Sequence, residues 1–270
     1  MGPFGNATLL GLLQGLTEFL PVSSRGHQSL VALVFQTEEG NVALHLMLHA
    51  ATLLATFIVL WDRILLAVRA GVVGLFRPDR FSGTQAGRDA LVVLAATIPT
   101  GVVGLSVRAL VERYTESPLA LGLGFLVTTA LLVSTRWIRF GEAPTLSVWG
   151  SLLVGFAQGM AVLPGVSRSA ATISLALWLG VRKDRAFELS MLMSLPVVLG
   201  AMVLELPRLS PDSLALGTAA VGGAVAFASG VAALVLVRKA VIQGRFAWFA
   251  LWVGPLALAT LAMAKAWPVR

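Results

Sequence analysis

Several side chains that phosphoryl or proton chemistry uses lie within one short segment near the start of the chain. Gln14 and Glu18 are four residues apart, so a helix places them on one face. Pro21 interrupts that helix, and the residues that follow it include Ser23, Ser24, Arg25, Gly26 and His27. A carboxylate, hydroxyl groups, a guanidinium and an imidazole this close together can serve as metal ligand, nucleophile, anion clamp and proton carrier. The alternative for one serine alone is an N-cap of the helix after the break.

A second segment, residues 158–169, repeats the pattern of Gln-Gly, a hydrophobic turn, Pro, Ser and Arg. Here Arg168 lies between Ser167 and Ser169, just before an apolar arm. Backbone N–H groups at the start of a helix, neighbouring hydroxyls and one guanidinium together form a phosphate site. The alternative is an arginine that extends to the membrane interface, which suits Arg25 better than Arg168, midway between two apolar arms. We therefore predict that Arg168 binds an anion.

The elements that position these side chains are membrane helices. Of 270 residues, 57% are hydrophobic and only 12% are charged, whereas a soluble domain carries about 25% charged residues. Long, nearly charge-free runs, each able to cross a hydrocarbon core as a helix, occupy 42–61, 90–107, 118–135, 189–204, 214–237 and 246–264. The sequence predicts an all-α integral membrane protein with six full transmembrane helices.

The formal net charge of +7 is concentrated in four connections, at 62–89, 136–142, 181–188 and 238–245. Positively charged loops stay in the cytoplasm, whereas the connection with Glu38 and Glu39 is acidic and is predicted to lie outside. Because topology explains the basic charge, no nucleic-acid partner is expected. The chain has no cysteine, which excludes disulfides and thiolate metal sites.

The two polar segments are predicted to enter the membrane without crossing it. Residues 7–35 and 147–180 each contain two short apolar arms broken by Pro, Ser, Gly and Arg, a pattern that favours re-entrant helix pairs buried in protein. Each pair is followed by three crossings, and an odd number of crossings inverts the second half relative to the first. We therefore predict interlocked inverted-topology repeats, 1–140 and 147–270, in one membrane domain with one polar site between them.

The motifs as a whole resemble a known family. Gln-x-x-x-Glu followed by Phe-Leu-Pro-Val-Ser-Ser-x-Gly-His in 14–27, and Pro-Gly-x-Ser-Arg-Ser-x-x-Thr in 164–172, are similar to the undecaprenyl-diphosphate phosphatases, also called bacitracin-resistance proteins. The resemblance extends to 98–101 and 226–230 and so covers nearly the whole chain. It implies removal of the terminal phosphate of undecaprenyl diphosphate at the bacterial inner membrane. This reaction recycles the carrier lipid for peptidoglycan synthesis and confers bacitracin resistance.

The resemblance also implies a divalent cation, Mg²⁺ or Ca²⁺, and a role for each motif residue. Glu18 would hold the metal, Ser24 would be the nucleophile or a phosphate ligand, and Arg168 would clamp the diphosphate. His27 would be an acid/base or a competing nucleophile. The further substrate-binding residues are predicted to be Gln14, Ser23, Arg25, Ser167, Ser169 and Thr172. Gln14 occupies a position where many members have Glu, so a second carboxylate ligand is missing here.

Other functions remain open at this stage. A carrier that flips a polyprenyl phosphate could use the same arginine and serines for binding without hydrolysis, because inverted repeats around a central site are also transporter architecture. An acid-phosphatase-type lipid phosphatase needs a histidine after its second Ser-Arg pair, and none follows Arg168. A homodimer and the leaflet that the site faces are left open. The predicted partners are the lipid substrate and the bilayer.

Overall fold

The computed structural model describes residues 2–35, 42–114, 117–209 and 216–266. Within these residues the backbone is helical, and its isolated bridge pairs Ala143 with Val181. The all-α prediction is therefore confirmed. The acidic connection predicted at Glu38 and Glu39 lies outside the described residues.

The helices follow one another with short connections. The first half contains α1 Pro3–Phe19, α2 Ser24–Phe35, α3 Val42–Val59, α4 Trp61–Phe76, α5 Arg80–Gly83, α6 Gln85–Tyr114 and α7 Pro118–Ser134. The second half contains α8 Val148–Met160, α9 Arg168–Trp178, α10 Lys183–Glu205, α11 Leu216–Ile242 and α12 Ala250–Ala266. A 3₁₀ turn at Phe246–Phe249 leads into α12. Among the described helices, α3, α6, α7, α10, α11 and α12 belong to the six segments that are long and apolar enough to cross a membrane, as predicted.

The connection at 62–89, predicted as a basic loop, is instead largely helical. Ile64, Ala67 and Gly74 are the buried residues of α4, and their spacing places them along one side of the helix. Phe81 of α5 packs against Gly74, where a β-carbon would collide with its ring. The loop prediction is wrong because these apolar contacts with the rest of the bundle stabilise a helix despite the arginines between them.

Both polar segments form two short helices separated by a break. In the first, α1 ends at Phe19, and Leu20 after it adopts a ψ of 140° because the residue before a proline disfavours the helical region. In the second, α8 and α9 are separated by residues 161–167, and Ser167 caps α9 by accepting a hydrogen bond from the Ala170 N–H at 3.2 Å.

Helices of the first half of the chain pack against helices of the second half. The helix α1 lies along α11, while α8 lies along α6, and α7 pairs with α12. Glycines allow this close approach: a β-carbon on Gly15 would collide with the Ala226 carbonyl oxygen, and one on Gly155 with the Ala96 carbonyl oxygen. Each half therefore contributes a helix that is packed against the other half.

The four basic connections meet at one end of the bundle. Lys183 lies over the Phe140 ring, 3.8 Å from its centroid, and close to Gly244. Arg63 pairs with Glu188 at 3.4 Å. This grouping agrees with the predicted placement of all four connections on one side of the membrane.

A buried ion network also lies at this end. Arg185 donates from Nη2 to both carboxylate oxygens of Asp89 at 2.5 Å and from Nη1 to Glu188. Its Nε donates to the Pro144 carbonyl at 3.0 Å. Arg185 is 2% exposed and both carboxylates are also buried, so the charges compensate one another away from water. The network connects α6, α10 and Pro144 in the segment between α7 and α8.

Candidate active site

Glu18 is the centre of a hydrogen-bonded group built from both polar segments. Its Oε2 accepts a hydrogen bond from the Ser24 hydroxyl at 2.9 Å and one from the Gln14 amide at 3.2 Å. Gln14 is fixed in turn by Gln28, whose Nε2 donates to the Gln14 Oε1 at 2.7 Å. The break after α1 therefore folds α2 back, so that Gln14 and Ser24 donate to the same carboxylate oxygen.

The second segment reaches this group through Arg168. The Arg168 Nη2 donates to the Glu18 Oε1 at 2.6 Å, and their side chains are 20% and 9% exposed. The guanidinium carries five N–H donors, so the bond to Glu18 leaves others for an anion. Arg168 is the first residue of α9, and the orientation of a helix start also favours a negative ligand there.

The two breaks touch each other at glycines. A β-carbon on Gly26 would lie 3.0 Å from the Gly165 Cα and 2.7 Å from the Phe125 ring. Gly165 has a φ of 80°, which a residue with a side chain adopts only with strain. Thr128 of α7 holds this turn by donating to the Gly165 carbonyl and accepting from the Ser167 N–H, both at 2.9 Å.

Ser23 forms the turn that leads into α2. Its φ of 71° lies in the left-handed region, which is uncommon for a residue other than glycine. The Ser23 hydroxyl accepts from the Gly26 N–H at 3.2 Å, so Ser23 is the N-cap anticipated for one of the two serines. The turn leaves the next hydroxyl, on Ser24, directed at Glu18.

His27 lies beside this turn and is 9% exposed. Its Nδ1 is 2.9 Å from the Ser23 carbonyl oxygen, and its Nε2 accepts a hydrogen bond from the Trp252 indole N–H at 3.0 Å. The Phe125 ring packs edge-on against the imidazole, with centroids 5.6 Å apart. Both imidazole nitrogens are therefore engaged by the protein.

A small cavity adjoins the Glu18–Arg168 pair between α3 and α10. Its other lining residues are Phe19, Thr52, Leu53, Thr56, Ser194 and Val198. Both α3 and α10 contribute hydroxyl-bearing and apolar side chains to this lining.

The family model described as Bacitracin resistance protein BacA matches residues 7–259 of the chain. The chain belongs to the BacA family. It is 38% identical over 262 residues to an undecaprenyl-diphosphatase of Desulfatibacillum aliphaticivorans, covering 90% of this chain and 92% of the relative. It is 34% identical to undecaprenyl-diphosphatases of Korarchaeum cryptofilum and Parabacteroides distasonis, with 95% of this chain and 98% and 96% of those relatives covered. The resemblance drawn from the motifs is confirmed.

Six apolar helices in a BacA family chain make this a multi-pass membrane protein. Of the residues predicted for its site, Gln14, Ser24 and Arg168 each donate a hydrogen bond to Glu18. Ser23 and His27 flank them. The two motifs are 150 residues apart at their contact, and only the fold brings them together.

Four other predicted residues of this BacA family member lie around the group rather than in it. Ser167 and Ser169 are buried, with their hydroxyls 3.2 Å apart. Thr172 is directed towards α10, where its hydroxyl lies 2.5 Å from that of Ser190. Arg25 is exposed and has no hydrogen-bond or ion-pair partner among the described residues. These residues surround the site but do not contact the Glu18 carboxylate.

Sequence reasoning did not single out Gln28 or Thr128, and it assigned Trp252 to an interfacial belt, although each of the three fixes a motif residue. Gln28 directly follows His27, the last residue of the first motif, and this position could have marked it as a candidate. Thr128 and Trp252 belong to otherwise apolar crossings, where one polar side chain is usually taken for helix packing or an interfacial belt. No local pattern marks them.

The divalent cation implied for the BacA family can be tested against these donors. In the described part of the chain, no three His, Asp or Glu side chains cluster as a metal site. Glu18 is the carboxylate of the group, and the Ser24 hydroxyl and the Gln14 amide N–H both donate to it. Mg²⁺ is commonly bound by one or two carboxylates together with waters and substrate phosphate oxygens, so the donors fit a cation that the diphosphate helps to hold.

Proposed function

We propose that this chain hydrolyses undecaprenyl diphosphate to undecaprenyl phosphate and inorganic phosphate. Its relatives from three organisms carry the name undecaprenyl-diphosphatase. The observation that carries the proposal is the contact between the two motifs, in which Arg168 and Ser24 bind opposite oxygens of Glu18. One site thereby contains a hydroxyl, a carboxylate and a guanidinium, which are the groups that diphosphate cleavage needs.

Ser24 is the proposed nucleophile. Its hydroxyl donates to Glu18 at 2.9 Å, so the carboxylate can receive the proton as Oγ attacks the terminal phosphorus. The new Oγ–P bond replaces the bond from phosphorus to the bridging oxygen, and undecaprenyl phosphate leaves with that oxygen. Water then attacks the phosphorus of the phosphoserine, and the Oγ–P bond breaks. Glu18 returns its proton to Oγ, and inorganic phosphate leaves with the oxygen and the protons of the water.

Arg168 is proposed to hold the diphosphate against this hydroxyl. Its guanidinium is partly exposed beside Glu18 and can present further N–H groups to phosphate oxygens. Ser167, Ser169 and Thr172 support the start of α9, while Gln14 and Ser23 support the first motif. Arg25 is exposed and has no partner among the described residues, and we propose that it contacts the diphosphate of the substrate.

Glu18 is the residue proposed to hold Mg²⁺ or Ca²⁺. Such a cation would neutralise charge on the diphosphate oxygens. With Gln14 in place of a second carboxylate, the protein supplies one negative ligand. We therefore expect metal affinity to depend strongly on the lipid diphosphate being present.

The proposed setting is two inverted repeats in the bacterial inner membrane. The α9 helix has 11 residues and α8 has 13, about 16–20 Å at 1.5 Å per residue, which is too short for a core of about 30 Å. This length supports re-entrant arms. The helix α1 of the first half packs against α11 of the second, and α8 of the second half packs against α6 of the first. This packing supports interlocked repeats with boundaries near 1–140 and 147–270. A homodimer remains a prediction.

The test is phosphate release from undecaprenyl diphosphate by purified protein in detergent, with Mg²⁺, with Ca²⁺ and with chelator. Ser24→Ala and Arg168→Ala are expected to lose at least about 100-fold in kcat/KM. The matched control is Glu205→Ala, which breaks partly exposed pairs with Arg108 and Arg208. Folded wild-type protein that binds the lipid without releasing phosphate would instead support the carrier function.

A further inference from the structure

The hydrogen bonds of His27 determine which ring nitrogen carries its proton. The Trp252 indole N–H can only donate, so Nε2, 3.0 Å away, must carry the lone pair. Nδ1 lies 2.9 Å from the Ser23 carbonyl oxygen, which can only accept, so Nδ1 must carry the hydrogen. This arrangement is compatible with the neutral Nδ1–H imidazole and with no other protonation state.

The ring geometry supports the same assignment. The two rings are inclined by only 14° with centroids 6.3 Å apart, while their nitrogens are 3.0 Å apart. Rings joined edge to edge through an N–H···N bond have this separation. Burial of His27 at 9% exposure and the edge-on Phe125 ring leave little room for another orientation.

The Nδ1–H group acts on the backbone turn rather than on the reacting atoms. The Ser23 carbonyl accepts both the His27 side chain at 2.9 Å and the His27 backbone N–H at 3.1 Å. Ser23 has a positive φ of 71°, and such a backbone persists only where surrounding contacts enforce it. The same turn directs the Ser24 hydroxyl at Glu18.

We propose that Trp252 fixes His27 as the neutral Nδ1–H tautomer, and that His27 is thereby a positioning residue for the Ser23 turn that presents Ser24. The inference rests on the proposed phosphatase function and assigns His27 neither proton transfer nor attack. Trp252 lies on α12 of the second half. Its bond to His27 is therefore a second contact, after that of Arg168 with Glu18, through which the second half positions the first motif.

The first test replaces His27 by two amide residues, each of which preserves the hydrogen bond of only one imidazole nitrogen. The amide nitrogen of Asn is bonded to Cγ, as Nδ1 is, so His27→Asn keeps a donor for the Ser23 carbonyl. The amide of Gln reaches the position of Nε2, so His27→Gln keeps only a partner for Trp252. We expect His27→Asn to retain at least about tenfold more kcat than His27→Gln, with similar KM for both.

The second test removes only the indole donor. Trp252→Phe is expected to lower kcat by about 2- to 12-fold, the range of one net hydrogen bond, and to have no further effect in the His27→Asn background. Trp248→Phe is the matched control, since Trp248 and Trp252 are 65% and 62% exposed and Trp248 has no bond to His27. The control should stay within about twofold of wild type.

Nitrogen-15 NMR of histidine-labelled protein reads the tautomer independently of activity. The chain has only three histidines, and we expect His27 to show a protonated Nδ1 and an unprotonated Nε2 that shifts in Trp252→Phe. An imidazolium or Nε2–H form at neutral pH, or equal losses in His27→Asn and His27→Gln, would overturn the proposal. If the wild type released no phosphate, the proposed function would fail, and the NMR result would still decide whether Trp252 fixes His27.

Discussion

Replacing Glu18 by Gln should uncouple the two motifs without changing the size of the side chain. The carboxylate accepts bonds from Arg168 on one oxygen and from Ser24 and Gln14 on the other. An amide has one acceptor oxygen, so its NH₂ group must face one of these two sets of donors. At least one charge-assisted hydrogen bond is lost, which costs about 1.5–3 kcal/mol, or about 10- to 150-fold in kcat/KM.

The assay is a double-mutant cycle of Glu18→Gln and Arg168→Gln, read as kcat/KM for phosphate release at fixed Mg²⁺. Because the two side chains bind each other at 2.6 Å with little exposure, they act as one unit. The double variant should therefore lose no more than the more damaging single variant. Thermal unfolding of each protein separates loss of activity from loss of fold.

Glu205→Gln is the matched control. Glu205 also pairs with an arginine of the other half, Arg108, at 3.4 Å, but both side chains are about one-third exposed. Exposed ion pairs contribute about 0–1 kcal/mol, so its kcat/KM should stay within about threefold of wild type. Additive losses in the cycle, or a Glu18→Gln variant as active as this control, would refute the reasoning.

Three further predictions concern the turn, the glycine contact and the buried ions. Ser23→Gly should keep its melting temperature in detergent close to wild type, whereas Ser23→Val should lose at least about 1–3 kcal/mol because a β-branched residue resists its positive φ. Gly124→Ala should destabilise the protein by about 1–3 kcal/mol, since the new β-carbon collides with the Pro164 carbonyl oxygen, whereas Gly101→Ala has nothing within 4 Å and should not. Arg185→Met should lower the free energy of unfolding by about 3–5 kcal/mol, because Asp89 and Glu188 stay buried without their partner. Its melting temperature should therefore fall well below that of the control Arg182→Met, which loses only a surface pair with Asp184.

The sequence by itself determined the class, the six crossings and the residues of both motifs. Long apolar runs permit little besides membrane helices, because backbone groups must be satisfied internally where water is absent. Polar side chains inside such a chain are costly, so Glu18, Ser24 and Arg168 stood out without any structural knowledge. The matched pattern of the two segments further predicted that they share one site.

The sequence was less informative where apolar and charged residues alternate. The helix α4 was predicted as a loop because its arginines suggested a connection, and its buried side depends on contacts with other helices. In the same way, the 185–188 region was read as part of a basic loop, although Arg185 is neutralised by Asp89 from far away in the chain. Charge counting shows neither effect.

Only the tertiary structure decided how the site residues act on one another. Arg168 binds Glu18 of the first motif, Ser23 rather than Ser24 caps α2, and Trp252 reaches His27 from the last helix. These contacts depend on the close approach of breaks at Gly26 and Gly165 and on the packing of α7 and α12. Hydrogen bonds require positions within a few tenths of an ångström, and a linear pattern of residue types specifies which groups are present but not where packing places them.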